Sequence, residues 1–245
     1  MEARVAEPLI PLSLFRSEQF SAINLVTLLV YAVLGGVFFL LPIELQQVAH
    51  YTPLGSGVAV LPVTVVMLLL SARSGELASR IGPRLQMAVG PMIVAVGVLL
   101  YARIDANGNY VLEVLPAVVV FGFGLSVTVA PLTATALSSA PARHAGLASA
   151  VNNTVARTGG LLAVAILPPL VGITGISYLH PAQFQNGFHE AVLIAAVVCA
   201  LGGLLGAITI RNPQHDTAPR QTLPEYHCDL AGPPLRGDQP TTAGT

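Results

Sequence analysis

Apolar residues along this chain run in long blocks, not at the spacing of a half-buried helix or strand. Six blocks stand out, at 22–43, 57–76, 85–102, 114–138, 147–172 and 188–210. A helix of about 20 apolar residues crosses a hydrocarbon core of about 30 Å, so each block predicts one membrane crossing. Between them lie short polar links: QQVAHYTPLGS, SRIGPR, RIDANGNYVLE, SAPARHAG and TGISYLHPAQFQN. Backbone exposed to lipid must satisfy its own hydrogen bonds, which leaves helices as the crossing element. The pattern therefore predicts an all-α membrane protein with six transmembrane helices packed as one bundle. Residues 1–20 read as a cytoplasmic N-terminal segment, 21–211 as the bundle and 212–245 as a disordered cytoplasmic tail. The tail is rich in proline and poor in apolar residues that could order it.

Composition agrees with a lipid solvent. The 245 residues are 53% hydrophobic and 9% charged, with a mean hydropathy of +0.72. Soluble domains carry about 25% charged residues. Net charge is −1, which gives no reason to expect nucleic acid as a partner. The two cysteines, Cys199 and Cys228, fit no metal spacing. No G-x-x-x-x-G-K-[ST] motif and no catalytic cluster occurs, so neither an ATPase nor another enzyme is expected, and no cofactor or metal is implied. All eleven basic residues are arginines. With the N-terminus inside, Arg4, Arg16, Arg73, Arg80, Arg84, Arg143, Arg211, Arg220 and Arg236 fall on the inner side and only Arg103 on the outer. The bias predicts a cell (inner) membrane protein with both termini cytoplasmic.

The chain also repeats itself. At an offset of 89, Gly35 falls on Gly124, Pro42 on Pro131, Gly57 on Gly146 and Ala59 on Ala148. Three crossings per copy make the second copy inverted, so the six spans read as two inverted three-helix repeats.

Three stretches then point to a family. NLVTLLVYAVLGGVFFLLPIELQQVAHYTPLGSGVAVLP resembles the entry to the C-terminal half of major facilitator drug:proton antiporters of the 14-span (EmrB/QacA-like) type. GELASRIGPR, from Gly75 to Arg84, is similar to the superfamily loop pattern G-x-L-a-D-R-x-G-x-R, with Ser79 in place of its Asp. HAGLASAVNNTVARTGG is similar to the penultimate helix of that type. The resemblance covers about residues 8–211 and implies one major facilitator half-bundle: the C-terminal half of a proton-coupled exporter of small amphipathic compounds. It implies as partners the lipid bilayer, the small-molecule substrate, protons and a second, N-terminal-type half. The alternative expectation is a truncated or accessory membrane subunit without transport activity of its own.

Candidate site residues follow from polar positions inside the spans. Arg157 lies about 17 Å along its helix from Gly146, well into the core. A charge there faces protein or a watery cavity. Asn153 shares its face at i, i+4, Gly160 continues that stripe, and Asn152 lies beside it; the stripe reads first as a helix-packing seam and second as cavity lining. Glu44 closes the first span beside Pro42, as an outer proton-exchange candidate or a solvated helix end. Arg73 and Glu76 are expected to pair with each other or to join Arg80 and Arg84 as a cytoplasmic charge cluster, and the resemblance implies that this loop, with Gly75 and Gly82, acts as a gate. Asn24, Tyr31, Thr128 and Thr133 are candidate substrate contacts because the resemblance places the first and fourth spans at a central cavity.

Overall fold

A computed structural model describes residues 17–106, 108–140, 144–210 and 212. Most of the expected N-terminal segment and of the expected tail lies outside these residues, as do Arg4, Arg16, Arg143, Arg211, Arg220, Arg236 and Cys228.

The helices are α1 (Glu18–Gln47), α2 (Pro53–Ala59), α3 (Leu61–Ile81), α4 (Pro83–Leu100), α5 (Leu115–Ser138), α6 (Ala145–Leu170) and α7 (Pro181–Thr209). Six helical stretches are long and apolar enough to cross a membrane: Glu18–Gln47, Pro53–Ile81, Pro83–Arg103, Tyr110–Ser138, Ala145–Leu170 and Pro181–Thr209. Successive crossings alternate in direction. The end carrying Glu18, Ile81, Ser138 and Thr209 is called the near end below, and the opposite end the far end.

Local chemistry sets the boundaries. Ser17 opens α1 by accepting the Phe20 N–H at 3.3 Å, and Thr52 opens α2 by accepting the Gly55 N–H at 3.0 Å. Pro53 follows at the first helical position, where its missing N–H costs nothing. The second span is broken at Val60, between α2 and α3. Pro62, two residues on, lacks an N–H and crowds the turn before it. A five-residue π-helical turn, Tyr110–Val114, leads into α5, capped by the Asn109 Oδ1 accepting from Leu112 N–H. Several helices outrun their apolar blocks. α1 extends through Glu44 to Gln47 and α7 starts at Pro181, so stretches expected as links are the helices' polar ends.

The packing carries the inverted repeat. α1 packs on α6 and α7, while α5 packs on α3 and α4, and α4 runs along α7. Exchanging spans one, two and three for four, five and six maps this set onto itself: α1–α6 becomes α5–α3, α1–α7 becomes α5–α4, and α4–α7 is unchanged. That internal symmetry is the architecture of one transporter half-bundle. The second and fifth spans stand at its two edges. Only 17% of the apolar window of each is buried, against 44–50% in the other four.

The larger core lies toward the far end, where Tyr101, Phe121, Phe184 and Phe188 are buried. The Tyr101 and Phe121 rings meet edge-on at 5.8 Å. A smaller core at the near end gathers Ile23, Val26, Val30, Met87, Leu132 and Ile210. The far-end links are laced by Tyr51, whose hydroxyl donates to the Gly108 carbonyl at 2.8 Å. Burial, with Glu113 and Tyr110 beside it, pushes the Tyr51 phenol above its ordinary range, which keeps that donor protonated.

Candidate functional site

The polar half of α6 divides between two faces. Ala148, Asn152, Ala156 and Gly159 are buried at spacings of four, four and three, and face α1. The seam is tight because it is lined by small residues. A Cβ on Gly35 would stand 2.5 Å from the Gly160 Cα, and one on Gly159 would stand 2.6 Å from the Leu28 carbonyl. Toward the near end this contact becomes polar. Asn152 Nδ2 donates to Thr27 Oγ1 at 2.8 Å and to Asn24 Oδ1 at 3.3 Å. Asn24 Nδ2 and Thr27 Oγ1 donate in turn to the Phe20 and Ile23 carbonyls at 2.8 and 2.9 Å. All three side chains are buried.

Asn153 and Arg157 lie on the opposite face of α6, exposed together with Thr154 and Thr158. The packing seam expected at Asn153 and Arg157 is therefore formed by Asn152, Ala156 and Gly159, a register one residue earlier in the chain. Gly160 does sit at the crossing with α1. Among the described residues no carboxylate pairs with Arg157.

The other cavity candidates scatter. Asn24 is consumed by the seam. Thr128 is fully buried, donates to the Gly124 carbonyl at 2.7 Å, and fills the space beside Gly90 of α4. Thr133 is exposed and bonds its own helix at Val129. Tyr31 is half-buried, with its carbonyl 3.6 Å from where a Gly160 methyl would sit.

Glu44 is no solvated helix end. It lies inside α1, is 0% exposed, and neither carboxyl oxygen has a hydrogen-bond partner. One turn nearer the membrane centre, Leu40 lines a small cavity with Tyr101, Phe188 and Val192. The Tyr101 hydroxyl is also buried without a partner. An unpaired ionised carboxylate costs several kcal/mol in such a place.

The expected loop cluster separates into three parts. Glu76 pairs with Arg80 at 2.6 Å, both exposed, a contact worth little on its own. Arg84 reaches α7, donating through Nε to the Ala207 carbonyl at 3.0 Å, where a cation suits a helix C-terminus. Asn212 locks the turn by accepting the Arg84 N–H at 3.1 Å and donating to the Ile81 carbonyl at 3.5 Å. Gly82 makes that turn at φ +86°, against the Asn212 side chain. Arg73 stands apart from the cluster, and Gly75 has open space around it. Reading the sequence missed Thr27, Ser74 and Gln86. Isolated polar residues inside apolar blocks were the available signal. Among the described residues no three His, Cys, Asp or Glu side chains gather as a metal site.

A six-span bundle with inverted triplets and a polar, charged edge face describes half of a secondary transporter. Residues 2–164 match the Major Facilitator Superfamily, and the chain belongs to that family. It is 34% identical over 171 residues to the tetracenomycin C resistance and export protein of Streptomyces glaucescens, covering 69% of this chain and 31% of that protein. It is 32% identical over 216 residues to the puromycin resistance protein of Streptomyces alboniger, covering 84% and 42%. A multidrug resistance protein of Mycobacterium tuberculosis is 27% identical over 181 residues, covering 74% and 33%. The chain thus spans less than half the length of these curated relatives.

Proposed function

We propose that this bundle is the C-terminal half of a proton-coupled exporter of small amphipathic compounds, working by alternating access against a second bundle. The observation that carries the reading is the exposed face of α6. Asn153, Thr154, Arg157 and Thr158 form two polar turns on a membrane-crossing helix, with an arginine near its middle. A charge at that depth is costly against lipid and is accommodated by protein or water. The low burial of the second and fifth spans supports the same partner face, and the names of the relatives support export of drug-like compounds. In this reading Arg157 and Asn153 line the cleft between the halves, with Thr133 and Tyr31 as further contacts. Glu44 carries the proton, alternating between its buried neutral form and an opened, ionised form. In this reading the near end is cytoplasmic in the inner membrane, which the arginine bias supports.

A second reading is an accessory subunit that binds a full transporter and moves nothing itself. The exposed polar face of α6 around Arg157 suits docking on such a partner as well as on a second half. Proteoliposomes with an imposed pH gradient separate the two, with tetracenomycin C and ethidium as probes. The chain is tested alone and together with the part of the S. glaucescens protein that it does not cover. Gradient-driven movement only in the pair supports the exporter half. Movement by the chain alone contradicts the need for a partner, and movement by neither favours the accessory reading.

A further inference from the structure

A groove of about 350 Å³ runs between α3, α4 and α5 at the near end. Its walls are apolar, including Leu77, Leu85, Val89, Ile93 and Phe123. From Leu85 to Ile93 it follows α4 for about 12 Å, close to the depth of one leaflet. The inverted repeat makes a counterpart. Exchanging the triplets sends spans two, three and four to five, six and one, and a second groove of about 230 Å³ lies between α6, α7 and α1. It is lined along the last turns of α6 by Leu162, Ile166 and Leu170, which places it in the opposite leaflet. Its lining is entirely apolar.

The near-end groove differs by its polar mouth. Gln86 is 4% exposed and lines it. Its Nε2 donates to the Ser74 carbonyl at 3.0 Å and to Ser74 Oγ at 3.3 Å. A carbonyl accepts only, so the amide is fixed with its nitrogen toward α3 and its oxygen away. That Oε1 is buried and has no partner. Next to Ser74, Arg73 lines the same mouth, exposed, with no carboxylate paired to it among the described residues. An unpaired arginine on a lipid-facing surface reaches for phosphate at the interface.

We propose that this groove is a binding site for an anionic glycerophospholipid of the near-end leaflet, of the phosphatidylglycerol class. Arg73 takes the phosphate, and one acyl chain lies along Leu85, Val89, Ile93 and Phe123. Phosphatidylcholine offers no net negative charge to Arg73. The counterpart groove holds acyl chains without headgroup preference. The inference needs only a membrane and a folded bundle, so it stands apart from transport.

The full chain is reconstituted in nanodiscs of equal phosphatidylglycerol and phosphatidylcholine, released into detergent, and its retained lipid is weighed by native mass spectrometry. One phosphatidylglycerol is expected, preferred over phosphatidylcholine by about fivefold, the effect of one basic residue at a lipid surface. Arg73→Gln abolishes the preference, and Val89→Trp, which fills the groove from an exposed position, abolishes retention. Ile166→Trp in the counterpart groove leaves it unchanged. Burial of the Cys199 thiol and the elution volume show that each variant is folded. Equal retention of both lipids, a preference that survives Arg73→Gln, or displacement of the lipid by excess inorganic phosphate overturns the proposal.

Discussion

Replacing Gly35 with alanine places one methyl group where α1 and α6 cross. The new Cβ would stand 2.5 Å from the Gly160 Cα and 2.6 Å from its carbonyl oxygen. These are backbone atoms, so no side-chain rotation relieves the overlap. Ordinary contact needs about 3.5–4 Å, so the helices must part by about 1 Å. Overpacking of this kind costs about 1–3 kcal/mol. Parting the helices also stretches the Asn152 bonds to Thr27 and Asn24, worth about 0.6 kcal/mol each in a bilayer. The total is about 1–4 kcal/mol, and at about 2–4 °C per kcal/mol for a chain of this size the unfolding midpoint falls by about 2–16 °C. The partner residue gives the control. A methyl on Gly160 would meet only the Tyr31 carbonyl at 3.6 Å and the Gly35 Cα at 3.8 Å, both ordinary contacts. Gly160→Ala also gains up to about 1 kcal/mol of helix propensity, so it is expected to be neutral or stabilising. The assay is thermal exposure of the buried Cys199 thiol to a fluorogenic maleimide, in a Cys228→Ser background. Opposite behaviour of two glycines facing each other is the signature of this crossing. A harmless Gly35→Ala, or equal damage from both, refutes the geometry.

Three further outcomes are expected. Asn152→Ala lowers stability by about 1 kcal/mol, and adding Thr27→Val costs less than the sum of the two alone, because they share one hydrogen bond; additive losses in the same thermal assay would contradict the network. Gly82→Ala costs about 1–3 kcal/mol, since alanine is strained at φ +86° and the turn is closed by Asn212; unchanged stability would show that the turn is loose. Glu44→Gln keeps wild-type stability, because the site accommodates a neutral group of the same shape, yet removes gradient-driven transport by the paired halves while leaving substrate binding; a large loss of stability, or full transport, would remove Glu44 from the proton path.

The six crossings were legible because lipid demands one feature that composition displays: about 20 apolar residues without charge. The helix ends were less legible. Glu18–Ser21, Glu44–Gln47 and Pro181–Gly187 are polar enough to read as links, yet their backbones continue the hydrogen-bonded spiral. The repeat showed in Gly35, Pro42 and their counterparts, because close helix crossings and bends constrain residue type. Asn152 and Asn153 mark where one-dimensional reading stops. Adjacent residues on a helix point about 100° apart. Linking Asn153 to Arg157 was sound geometry, but Ala148, Ala156 and Gly159 decide which face meets α1. Thr128 went to packing against Gly90 because a span at a cavity still has a back. Gln86 and Ser74 are twelve residues apart across a turn, and only the antiparallel pairing of α3 and α4 brings them together.

The alternation of the spans is tested most directly by single-cysteine accessibility in sealed vesicles, in the Cys228→Ser background. Ser79 and Ser138 are exposed at the near end, Ala106 and Thr174 at the far end. Two mirrored triplets require that a membrane-impermeant maleimide label Ser79→Cys and Ser138→Cys from one side only, and Ala106→Cys and Thr174→Cys only from the other. Labelling of Ser79→Cys and Ser138→Cys from opposite sides would contradict the inverted repeat on which the fold and its proposed partner rest.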